Sequence, residues 1–189
     1  ELRLEVNIGQ YLDVLSGAKG KFDHRSARKI LEYKTGRYSV QRPLQLGAAV
    51  AGKYDELSKP LTDFGQPVGV VFQLRDDILG VFGNTEKTGK PTGDDLREGK
   101  PTPLMAEAFA QASEQQRSIL SKIGTNDLNQ RDISDIQEVV EETGARSVIE
   151  QEIEELTDSA LETLSSINLE KNASEALSEL AHFVAYRTY

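Results

Sequence analysis

Cysteine is absent from all 189 residues. That removes both a disulfide framework and a thiol nucleophile, and it suits a reducing cytoplasm. Long hydrophobic runs are missing too: none approaches a membrane span, and no signal-peptide pattern opens the chain. The two histidines, His24 and His182, stand alone and suggest no imidazole site. No basic stripe of the kind a nucleic-acid binder carries is present, and the net charge is −9. That figure hides an asymmetry. Residues 1–100 hold 16 Lys+Arg against 14 Asp+Glu, and residues 101–189 hold 6 against 17. The positive charge that exists lies near Lys34 and in a Gly/Lys loop, which suits a small phosphorylated ligand.

Strands, internal repeats and low-complexity segments are likewise missing. Apolar residues recur instead at helical spacing. The expectation is an all-α antiparallel helix bundle, residues 1–189 forming one domain long enough to bury a core. One helix is expected over residues 3 to 16, closed by Gly17 and Gly20, and a second from Ala27 to about Tyr38, broken or kinked at Gly36 so that carbonyls are exposed. Residues 40 to 52 read as a buried helix closed by Gly52. A long helix follows from about Asp55 to Phe82, with Pro60 in its first turns and a kink at Pro67. Further helices are expected from Pro103 to about Ile123, Ser134 to Glu142, Gly144 to Ile167 and Ser174 to Arg187.

The chemistry gathers at the end of the long helix. Gln73, Asp76, Asp77 and Gly80 fall at i, i+3, i+4 and i+7 and share one face. Adjacent carboxylates repel, so burying either needs a cation or hydrogen bonds. Mg²⁺ answers that need with one or two carboxylates plus waters and phosphates. The loop from Gly83 to Lys100 then offers glycines for close backbone approach and lysines for phosphate. An unstructured connection of that length in a helical chain is usually functional or disordered, and the spacing of Lys90, Asp95 and Lys100 favours function. The plain alternative is a solvated acidic face, with Arg75 pairing the acids.

These segments resemble the trans-isoprenyl diphosphate synthases, the polyprenyl synthetase family. Four carry the likeness in order: Gly9-Gln10-Tyr11-Leu12-Asp13, Tyr33-Lys34-Thr35-Gly36, Phe72 to Leu79, and Gly89-Lys90 through Asp94-Asp95 to Gly99-Lys100. They cover roughly residues 5 to 105. The resemblance implies Mg²⁺-dependent, head-to-tail condensation of an allylic prenyl diphosphate with isopentenyl diphosphate by a cytoplasmic homodimer. It implies Asp76, Asp77, Asp95 and Asp13 as metal-side acids, and Lys34, Lys90, Lys100 and Gln10 as substrate-binding groups. Lys34, Thr35 and Gln73 become the catalytic set, with the Thr35 hydroxyl and the Gln73 amide facing the allylic cation. The sequence departs from the fuller family pattern at Gly80, where a third carboxylate would stand. Gln41 to Ala48 leans toward the geranylgeranyl type.

Two parts of the family pattern have no counterpart: another aspartate-rich motif and an upstream basic site for isopentenyl diphosphate. The chain also opens on Glu1 inside an amphipathic pattern. The expectation is therefore the C-terminal portion of a synthase, inactive alone. Two other readings stay open. A terpene cyclase shares the diphosphate chemistry, although Val81 stands where its metal triad would continue. A non-catalytic regulatory subunit would also lack one metal motif.

Overall fold

Amphipathic spacing becomes helix throughout the computed structural model, which describes residues 2–19, 23–83, 93–125 and 127–188. No strand occurs among them. In chain order the elements are α1 Leu2–Lys19, α2 His24–Leu31, a π-helix Glu32–Gln41, α3 Arg42–Val50 and α4 Tyr54–Phe82. After the loop come α5 Asp94–Glu98, α6 Pro103–Gln111, α7 Glu114–Leu120, α8 Gln130–Glu142, α9 Ala145–Ser166 and α10 Lys171–Tyr186. The all-α class is as the sequence implied.

The described residues fall into two compact units, one within residues 1–11, 29–75 and 152–187, the other within 12–28, 76–151 and 188–189. In the first, α4 buries Leu61, Phe64, Val68, Val71 and Leu74 along one stripe; Ile153, Ala160, Leu164, Ala181 and Val184 of α9 and α10 are buried as well. Truncating a fully buried side chain such as Leu74 to Ala costs about 2–5 kcal/mol. Two arginines fasten the end of α10 to α4. Arg75 Nε donates to the Ala185 carbonyl at 2.6 Å. Arg187 donates to the Phe72 carbonyl at 3.3 Å, its guanidinium 4.4 Å from the Phe72 ring centre. Arg75 is buried where it meets the Ala185 carbonyl.

The second unit buries Ile78, Val81, Leu96, Leu104, Met105, Leu120, Ile133, Ile136, Val140 and Ile149. Three of its helices, α6, α7 and α8, begin on side-chain caps. Thr102 accepts from the Met105 amide, and Ser113 and Gln116 cap reciprocally, as do Asn129 and Asp132.

Several expectations are corrected. The Ser113 cap divides the helix expected over 103–123 into α6 and α7. Part of the expected structureless loop is helical, as α5. Residues 42–50 do not form a buried helix: Leu46 and Val50 are 66% and 84% exposed, and only Gln45 and Ala48 are buried. With Gln45 and Ala48 three residues apart, α3 has one narrow buried edge, not an apolar circumference. The long helix expected through Pro60 and Pro67 is present as α4.

Gly36 does not break its helix. The turns widen instead, and Arg42 N–H donates to the Arg37 carbonyl five residues back. Such widened turns are frequent at functional sites. Nor is the Gly36 carbonyl left open. It lies so close to Gly69 that a Cβ on that glycine would stand 2.4 Å from the oxygen.

Candidate active site

In the first unit three glycines set the site. Gly65, Gly69 and Gln73 recur every four residues on α4 and share a face. A Cβ at Gly65 would stand 3.0 Å from Gln41 Cα, and one at Gly69 would stand 2.7 Å from Gly36 Cα. From α1, a Cβ at Gly9 would stand 2.5 Å from Lys34 N. Bare Cα atoms therefore let α1 and α4 pack directly on the backbone of the π-helix that carries Lys34 and Thr35. Sequence reading placed Gly9 in a motif without giving it this task, and it passed over Gly65 and Gly69; the Gly-x-x-x-Gly spacing was the available signal.

Thr35 is buried, and its hydroxyl donates to Gln73 Oε1 at 2.7 Å. A helical threonine ordinarily bonds its own preceding turn; this one spans 38 residues to the next helix. The bond fixes the amide and leaves the hydroxyl lone pairs for another partner. Lys34 is half-buried beside it in sequence, whereas Gln10 is exposed on α1.

An ion network anchors the same π-helix. Glu5 of α1 accepts from Arg42 at 2.6 and 2.8 Å and from Arg37 at 3.0 Å. Arg37 also reaches Glu32 at 2.5 Å and lies 4.5 Å over Tyr33. The Arg42 hydrogen bond, reinforced by Arg37 and opposed by burial, holds the Glu5 carboxyl below its ordinary value of 4.5.

The second unit holds the acids. Asp77 is buried and Asp76 half-buried at the end of α4; Asp13 is half-buried on α1. Asp95, on the second position of α5, is paired with the Lys100 ammonium, which also lies 3.0 Å from Glu98. Burial would lower the Lys100 pKa, but the hydrogen bonds it donates to Asp95 and Glu98 outweigh it and lift the ammonium above the ordinary lysine range. Glu98 was not foreseen. Lys90 lies outside the described residues. Among the described residues, no three His, Cys, Asp or Glu side chains are gathered to hold an ion by themselves. The donor type nevertheless fits Mg²⁺. Asp76, Asp77 and Asp95 offer hard oxygens, and this ion completes its shell with waters and phosphate.

Comparison with known proteins decides the family. The polyprenyl synthetase model matches residues 1–143. The chain belongs to that family. It is 29% identical over 188 residues to a geranylfarnesyl diphosphate synthase of Aeropyrum pernix, covering 99% of this chain and 58% of that protein. A geranylgeranyl diphosphate synthase of Saccharolobus solfataricus is also 29% identical, with 99% of this chain and 52% of that protein covered. A solved geranylgeranyl pyrophosphate synthase from Corynebacterium glutamicum, complexed with isoprenyl diphosphate and magnesium, superposes at a TM-score of 0.94. It is 37% identical, over 97% of this chain and 52% of that one. The chain thus spans little more than half the length of these polyprenyl synthetases. Among the described residues no helix is long and apolar enough to cross a membrane.

Proposed function

We propose that the full gene product is a cytoplasmic Mg²⁺-dependent prenyltransferase. It joins an allylic prenyl diphosphate to isopentenyl diphosphate head to tail, giving a longer trans-prenyl diphosphate, with the geranylgeranyl product favoured. The observation that carries this reading is the Thr35–Gln73 pair on its glycine-packed backbone. With its proton committed to Gln73 Oε1, the Thr35 oxygen presents lone pairs to an electron-poor carbon. Neither group is a nucleophile strong enough for that carbon to alkylate readily, as a carboxylate would be.

In the reaction the allylic C–O bond breaks and its electron pair leaves with the diphosphate. Lys34, Lys90 and Lys100 bind the diphosphate oxygens, and Gln10 contributes to substrate binding. Lys100 would exchange its Glu98 contact for phosphate while keeping Asp95. Asp76, Asp77 and Asp95 would hold magnesium, with Asp13 near it. The bound ion would neutralise the leaving diphosphate. The alkene of isopentenyl diphosphate then forms the new C–C bond with the allylic carbon, and loss of a proton restores the double bond.

The 189 residues are read as one domain piece, because α1, α4 and α9 each contribute residues to both units. Alone they turn over no substrate, since the other aspartate-rich motif and the isopentenyl diphosphate site have no counterpart in the sequence. A homodimer completes the reading, and the exposed Leu4, Ile8 and Tyr11 stripe on α1 suits it. Labelled isopentenyl diphosphate supplied with an allylic diphosphate tests the reaction. Label in a longer prenyl diphosphate is expected; an allylic substrate consumed with no label incorporated would instead mark a cyclase.

A further inference from the structure

The departure at position 80 carries a consequence for the acids. A Cβ on Gly80 would stand 1.9 Å from Asp95 Oδ2, 2.5 Å from its Cγ and 3.2 Å from its Cβ. The Asp95 carboxylate therefore lies directly on the bare Cα of α4, one turn beyond Asp76 and Asp77. Its helix is pinned on both sides. Gly93, at φ 76°, packs so near Ile133 that a Cβ would stand 2.8 Å from its Cγ2. Leu96 is fully buried, and its carbonyl accepts from the Gly124 amide at 2.9 Å. Gly99, at φ 66°, meets Gly124, where a Cβ would stand 2.9 Å from the Cα. The other Asp95 oxygen takes the Lys100 ammonium. So short a side chain on so fixed a helix has little room to swing aside.

We propose that Gly80 is a positioning residue: its missing side chain seats the Asp95 carboxylate against α4, where it fixes the direction that acid faces. A side chain at position 80 must then displace the Asp95 carboxylate or the helix that carries it. The inference rests on the metal-binding reading above for its purpose. The seat itself rests on geometry alone.

Four variants of the full gene product test it: Gly80→Ala, Gly80→Asp, Asp95→Ala and the double Gly80→Asp/Asp95→Ala. Without metal, Gly80→Ala should lower the melting midpoint by several degrees, although alanine is the better helix former. A midpoint at or above wild type would overturn the seat. In the metal-free double-mutant cycle, the Gly80→Asp penalty should largely vanish once Asp95 is truncated; simple additivity would also overturn the seat. Calorimetry with MgCl2 and inorganic pyrophosphate reads the purpose. Gly80→Ala and Asp95→Ala should each weaken Mg²⁺ binding about tenfold or more; unchanged binding by Gly80→Ala would overturn the purpose. If the wild type bound neither Mg²⁺ nor pyrophosphate, the functional reading would fail while the metal-free cycle still judged the seat.

Discussion

Thr35 and Gln73, the proposed catalytic pair, are tied together by one hydrogen bond. Thr35→Val and Gln73→Leu should each lower kcat, and their double-mutant cycle should show a coupling of about 1 kcal/mol in transition-state free energy. Strict additivity would mean that the two side chains act apart. This pair was legible in the sequence because its chemistry lies in side-chain identity: an amide and a hydroxyl are polar wherever they sit. The same holds for Asp76 and Asp77. Gly9, Gly65 and Gly69 were silent because a glycine's task is set by the atoms that approach it across space. Asp95 was legible as an acid, but its seat on Gly80 was not, for the same reason. Lys90 keeps its expected part in diphosphate binding as a proposal.

Among the elements, the π-helix is one that sequence periodicity misjudged. A glycine within a helical pattern reads as a break, yet the widened turns keep the backbone bonded while α1 and α4 close on it. Ser113 with Gln116 was a readable cap, overlooked because apolar spacing runs on through it; the Asn129 cap set the start of α8 four residues before the expectation. Gly69→Ala tests the packing. Intrinsic propensity favours alanine by roughly 0.5–1 kcal/mol, but a methyl driven into the Gly36 backbone should cost about 1–3 kcal/mol. Chemical denaturation that shows a net gain in stability would argue against direct backbone contact.

The Glu5 network gives the same element a pH dependence. Its folded pKa is depressed, so the stability it adds is full above the unfolded value and fades as pH falls through the folded one. Glu5→Gln should cost about 2 kcal/mol at neutral pH. It should also flatten the acid limb of the melting curve, and an unchanged limb would show that other carboxylates set it.

At the scale of the whole molecule, family and fold stand on the family match and the superposition, and the proposed chemistry on the residue types of the acids and lysines. The all-α class was legible from periodicity, which survives any rearrangement of tertiary packing. The division into two units was not, because α1, α4 and α9 run through both without a linker or a change of composition. The central claim is that Asp76, on the far turn of α4, serves magnesium and so the departing diphosphate. Its most direct test is steady-state prenyl transfer by the full gene product carrying Asp76→Ala, with circular dichroism to verify the helices. A loss of kcat of about a hundredfold or more, with the fold intact, is expected; near-native turnover would contradict the claim.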